Sequence, residues 1–99
     1  MARVWYIGDE ATALAYRLAG VETRVPGAGE TPAVYARAVE DGADLVLLAT
    51  PNAAELGPAA LEAALVSLRP LVELVPDWQG RNDPPDVARG IRLALGIEP

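Results

Sequence analysis

The 99 residues carry a net charge of −6, with eight basic residues, all of them arginine, against fourteen acidic ones; cysteine and histidine are both missing. Disulfides, thiolate metal sites, histidine general bases and lysine Schiff bases are thereby excluded. No basic run is available for a phosphate backbone or an anionic membrane surface.

The length suits one domain with one core. No apolar run approaches the ~18 residues of a membrane-spanning helix. The start, MARVWYIGDE, is too short in its apolar part for a signal peptide, so a cytoplasmic location is expected.

The first predicted element is a strand over Val4–Ile7, apolar throughout like a strand covered on both faces. Gly8 ends it. Asp9 reads as the N-cap of a helix, with Glu10 favourable in the first turn. Ala11, Leu14, Ala15 and Leu18 recur at helical spacing and are expected to face the core, with Thr12, Tyr16 and Arg17 pointing away. Gly20 suits the left-handed position after the helix.

Val21–Val25 is a second, more polar strand, expected at a sheet edge. Thr31 and Pro32 read as a cap and a first-turn proline. The helix that follows should bury Val34, Tyr35, Ala38 and Val39 and expose Arg37, Glu40 and Asp41, closing at Gly42. Leu45–Ala49 is the most apolar strand and is expected to be central.

Thr50 and Pro51 start a short helical turn that Gly57 and Pro58 break. A longer helix then places Leu61, Ala64, Leu65 and Leu68 on its inner face and stops at Pro70. Leu71–Val75 is the fourth strand. A polar loop, 76–82, carries Trp78. Asp83 caps a last helix that runs to about Leu95 and ends at Gly96.

Alternating strands and helices define an α/β fold with right-handed crossovers. The expectation is a small three-layer Rossmann/flavodoxin-like domain: a four-stranded parallel sheet in the order 2-1-3-4, helices on both faces and a C-terminal helix. Ligands of such folds sit where the strand order reverses, here between Gly8-Asp9-Glu10 and Ala49-Thr50-Pro51.

Three chemistries can be weighed at that crevice. A dinucleotide needs G-x-G-x-x-G, and only Gly8 is present, beside two acids. A phosphoacceptor receiver of the response-regulator type would use Asp9 and Glu10 for Mg²⁺. It also needs an aspartate after the third strand and a lysine further on, and the chain has Ala49-Thr50 and no lysine. A carboxylate enzyme would use the same two acids, but adjacent acids are common in helix first turns for electrostatic reasons. Ser67 has no histidine to form a triad. No catalytic, cofactor-binding or metal-binding residue is assigned.

The segment Ile7-Gly8-Asp9-Glu10, the run Tyr16-Arg17-Leu18-Ala19-Gly20-Val21, the strand Pro70–Pro76 and the end Ile91–Glu98 carry a resemblance. Together they resemble the small globular central-stalk protein, designated F, of the rotary V/A-type (vacuolar/archaeal-type) ATPases. The x-R-L-A-G-V run is the most specific of these. The resemblance implies a non-catalytic rotor part of the central stalk in an ion-translocating ATPase or ATP synthase. Such a protein is monomeric alone and docks on the long coiled-coil shaft subunit, peripheral to the membrane. ATP, Mg²⁺ and ion transport belong to other components of the complex. It also implies a mobile C-terminal helix, 83–96, that reaches the catalytic hexamer and modulates coupling. The rival reading is a degenerate receiver-like signalling or interaction domain without a phosphoacceptor.

On a helical wheel, Val87, Ala88, Ile91, Ala94 and Leu95 form the apolar face of the last helix, opposite Arg89, Arg92, Leu93 and Gly96. Leu93 beside two arginines is a partner-site candidate. Trp78 is a second, since tryptophan is enriched at interface hot spots. Tyr16 and Arg17 are a third. The predicted partner-binding set is therefore Arg89, Arg92, Leu93, Gly96, Trp78, Tyr16 and Arg17.

Overall fold

A computed structural model describes residues 2–76. The predicted final helix, and with it Trp78, Arg89, Arg92, Leu93 and Gly96, lies outside the described residues.

The elements run β1 (Val4–Ile7), α1 (Glu10–Leu18), β2 (Glu22–Arg24), α2 (Thr31–Glu40), β3 (Leu45–Ala49), α3 (Thr50–Glu55), α4 (Pro58–Leu65) and β4 (Leu71–Val75). The four strands form one all-parallel sheet in the order β2-β1-β3-β4. This is the predicted small Rossmann/flavodoxin-like architecture. β1 and β3, the two most apolar strands, hold the centre, and the polar β2 holds an edge, as expected.

Strand alternation divides the core in two. On one face Trp5, Ile7, Val46, Leu48 and Val72 pack under Ala38 of α2, Ala53 of α3 and Ala64 of α4. On the other, Tyr6 and Ala49 pack under Ala13 of α1, with Tyr16, Val21, Leu47 and Val75 around them. Alanines on the helices let three of them approach one small sheet face. The load falls on the strands, where truncating a wholly buried residue such as Leu48 to alanine would cost about 2–5 kcal/mol.

The helix faces depart from the periodicity. In α1 the residues turned to the sheet are Thr12, Ala13 and Tyr16, while Ala11, Leu14, Ala15 and Leu18 are exposed. The expected inner stripe is the outer one. Thr12, Ala13 and Tyr16 also have helical spacing, and they fit better. Ala13 allows close approach, and Tyr16 meets an aromatic partner on β1. In α2, Ala38 is buried and Val34 and Tyr35 are half-buried as expected, but Val39 is exposed. In α4 only Ala64 is buried, with Leu61 half-buried. The helix ends at Leu65, itself exposed, so Leu68 falls beyond it and is 86% exposed.

Two boundaries also shift. β2 spans three residues rather than five. Thr31 is not the cap of α2 but its first helical residue, wholly buried, and its hydroxyl accepts from Asn52 Nδ2 at 3.0 Å. Glu30 occupies the cap position without a side-chain bond into the helix. The carboxylate of Glu55, from the end of α3, takes that place: it accepts from the Gly29 amide at 3.1 Å. The hydroxyl of Thr31, then the Gly29 amide, hold Glu55 below the usual carboxylate range. A remote acid thus meets the positive end of a helix that lacks its own cap.

Candidate functional site

The strand order reverses between β1 and β3, so their carboxyl ends define the crevice where ligands of this fold class bind. Gly8 lies on the β1 side. A Cβ there would meet the Tyr6 hydroxyl at 2.1 Å and Ala49 Cβ at 2.8 Å, so only glycine fits. The next residue, Asp9, has extended backbone and caps α1. Its Oδ2 accepts from the Thr12 amide at 2.9 Å. Its Oδ1 accepts from the Tyr6 hydroxyl at 3.0 Å. Asp9 is the predicted helix cap, and both its oxygens are engaged.

These contacts set the protonation states. Burial pushes Asp9 up, but the amide and hydroxyl of Thr12 and then the Tyr6 hydroxyl outweigh it, so its carboxyl sits below the usual value. Tyr6 is pushed well above the ordinary phenol range, first by burial and then by its bond to Asp9. Phenol and carboxylate therefore stay as donor and acceptor throughout the neutral range.

Glu10 does not converge with Asp9. It is exposed, and its Oε2 lies 3.4 Å from Arg17 Nη1. Among the described residues no group of three aspartate, glutamate, histidine or cysteine side chains is placed to hold a metal ion. On the β3 side, Thr50 Oγ1 is buried without a hydrogen-bond partner among the described residues.

The two described members of the predicted partner set have different fates. Tyr16 does not face away from the core. It is half-buried and stacked on Tyr6, with ring centroids 4.8 Å apart and planes at 28°. Such a pair contributes about 0.5–1.5 kcal/mol beyond its burial. Arg17 is exposed, donating through Nε to Thr23 Oγ1 at 3.0 Å besides its contact with Glu10. It ties α1 to β2. The exposed residue beside it is Leu18, 83% accessible, which periodicity alone places inside.

A second region has almost no signature in the sequence. Arg24 lays its guanidinium 4.7 Å from the centre of the Trp5 ring and pairs with Glu22. Register explains the contact: Trp5 sits opposite Glu22 and Ile7 opposite Arg24, so Arg24 reaches diagonally back along one face. A cleft of about 290 Å³ opens beside it, lined by Arg24, Ala33, Val34 and Arg37. Arg3, Arg17, Arg24 and Arg69 each have a carboxylate partner, whereas Arg37 has none among the described residues. The one hint in the sequence is the alternation of Glu22 and Arg24 along one strand face.

No helix of the described residues is long and apolar enough to cross a membrane. The chain matches no protein-family model and no curated protein.

Proposed function

We propose that the chain is a non-catalytic central-stalk component of a V/A-type rotary ATPase or ATP synthase, the small globular one. In this reading it docks on the coiled-coil shaft subunit at the cytoplasmic side of the complex. Its segment 83–96 modulates coupling at the catalytic hexamer. The observation that carries the reading is the run Arg17-Leu18-Ala19-Gly20-Val21 and its setting. Gly20 takes a φ of 90° to turn the chain from α1 into β2. Leu18 stands exposed just before that turn. A large apolar side chain in the most specific part of the resemblance, with no packing role of its own, suits a contact residue.

The parallel sheet in the order 2-1-3-4 agrees with the reading. The receiver alternative loses support, because Asp9 spends both oxygens on Thr12 and Tyr6 and Glu10 turns to Arg17.

The test is co-expression with a coiled-coil shaft subunit of a V/A-type ATPase from the same source organism. A stable one-to-one complex on size exclusion is expected, and ATPase activity is expected from neither protein alone. Separate elution at micromolar concentrations would overturn the reading.

A further inference from the structure

Half of one sheet face has no described helix on it. α1 packs over β1 and β2, while α3 and α4 cover β3 and β4 from the other side. On the α1 side, β3 presents Leu45, Leu47 and Ala49, in register with Leu71, Glu73 and Val75 of β4. Leu45, Leu47 and Val75 are half-buried and Leu71 is 52% exposed. A parallel sheet is normally covered on both faces. Two strands make an open strip about 10 Å across, the diameter of one helix. The five residues of β4 make it about 16 Å long.

The wall of this strip is shaped for a close neighbour. Arg17 of α1 reaches Thr23 of β2, so that side of the helix faces the β2 edge. Ala15, two residues before it, points roughly the other way, toward β3, and Ala11 lies one turn from Ala15 on the same side. Both alanines are exposed among the described residues. Small side chains at that seam let a second helix lie close beside α1.

We infer that the chain's own residues 83–95 are the cover, a helix laid beside α1 across β3 and β4 with Val87, Ile91, Ala94 and Leu95 against the sheet. Chain continuity selects this occupant. β4 is the last described strand and an edge of the sheet, and its carboxyl end, Val75, opens onto the strip. Residues 76–82 make a connection of ordinary length. The thirteen positions 83–95 then span about 20 Å as a helix, enough to run back along the strands. The opposite face is closed to them by α3 and α4. One apolar stripe in the sequence meets one apolar strip on the sheet. Glu73, the charged residue of that strip, is exposed and lies on the edge strand, where its carboxylate stays in water beside the helix. A second copy fits less well: docked face to face, it would bury Glu73 of both chains in one apolar interface. The inference stands independently of the proposed function.

The experiment uses the full chain, which has no cysteine of its own. Leu71→Cys is combined in turn with a cysteine at each of Ile91, Arg92, Leu93, Ala94 and Leu95, and disulfide formation under mild oxidation is timed. Ile91→Cys, Ala94→Cys and Leu95→Cys are expected to close at least about tenfold faster than Arg92→Cys and Leu93→Cys, since only one side of a docked helix comes within bonding reach. Equal rates at all five positions would mean an undocked segment, and no intramolecular bond at any of them would mean docking elsewhere. Rapid disulfide dimers of Leu71→Cys alone would make the occupant a second copy. Each of these results overturns the inference. A second measurement needs no cysteine: Ile91→Glu should lower the urea midpoint of the full chain and Leu93→Glu should leave it unchanged. Equal midpoints for the two would overturn the inference as well.

Discussion

The Tyr6 hydroxyl donates to Asp9 Oδ1 at 3.0 Å, joining the first strand of the sheet to the N-terminus of the first helix. The same carboxylate receives the Thr12 amide through its other oxygen. Removing one partner does not have the same effect as removing the other. Tyr6→Phe leaves Asp9 with its cap bond and loses one hydrogen bond, at a cost of about 0.5–1.5 kcal/mol. Asp9→Ala loses the cap, about 1 kcal/mol, and strands a buried phenol, a further ~1–3 kcal/mol. Urea denaturation should rank the loss for Asp9→Ala well above that for Tyr6→Phe. In the double variant the penalty should be smaller than the sum, because no phenol is left unpaired. Strict additivity would show that the bond carries no coupling.

Gly8 presses against the same pair. A methyl group there lies 2.1 Å from the Tyr6 hydroxyl, 2.5 Å from Tyr6 Cζ and 2.8 Å from Ala49 Cβ. Gly8→Ala should cost about 1–3 kcal/mol by overpacking. Tyr6→Phe in the same chain should recover little, since Cζ and Ala49 still block the methyl. Thermal melts of the two variants decide this, and full recovery would place the clash at the hydroxyl alone.

How far the sequence can be read depends on whether the deciding interaction is local. β1, β3 and β4 lie where their apolar runs are, and Asp9 caps α1 as its position suggests, because strand burial and N-capping are settled within a few residues. The inner face of α1 is not settled that way. Two stripes with helical spacing compete there, and the choice falls to Tyr6, whose ring accepts Tyr16. Thr31 has the residue type of a cap, yet α2 is met by Glu55, which reaches the Gly29 amide from 26 residues away. Arg24 over Trp5 depends on strand register. At the candidate site, Asp9 is legible from the sequence, while the exposure of Leu14 and Leu18 emerges only once the sheet shows which side of α1 is in.

The reversed and shortened helices make a prediction opposite to the one that periodicity supports. Leu68, expected in the core, is 86% exposed beyond α4. Leu68→Gln should change stability by no more than about 0.5 kcal/mol. Ala13 is wholly buried against Tyr6 and Ala49. Ala13→Leu, a gain of apolar bulk, should cost about 1–3 kcal/mol. Paired chemical melts test both, and a large loss for Leu68→Gln would mean that the leucine is covered in solution.

Acid should weaken the fold through two carboxylates at helix N-termini. Asp9 and Glu55 both titrate below their ordinary values of 3.8 and 4.5, although burial opposes the shift in each. As the pH falls past those ordinary values, the unfolded chain binds protons first and the folded chain resists. The stabilisation is therefore complete above about pH 5, where both carboxylates are ionised in either state. It is lost as the pH falls through the lowered folded values. Asp9→Asn keeps a side-chain cap acceptor but removes the titration. Glu55→Gln removes the charge that faces Gly29 and Thr31. Each variant should show a shallower fall in urea midpoint between about pH 5 and 3 than the original chain, and the double variant the shallowest. A slope in the double variant as steep as that of the original chain would assign the acid response to other groups.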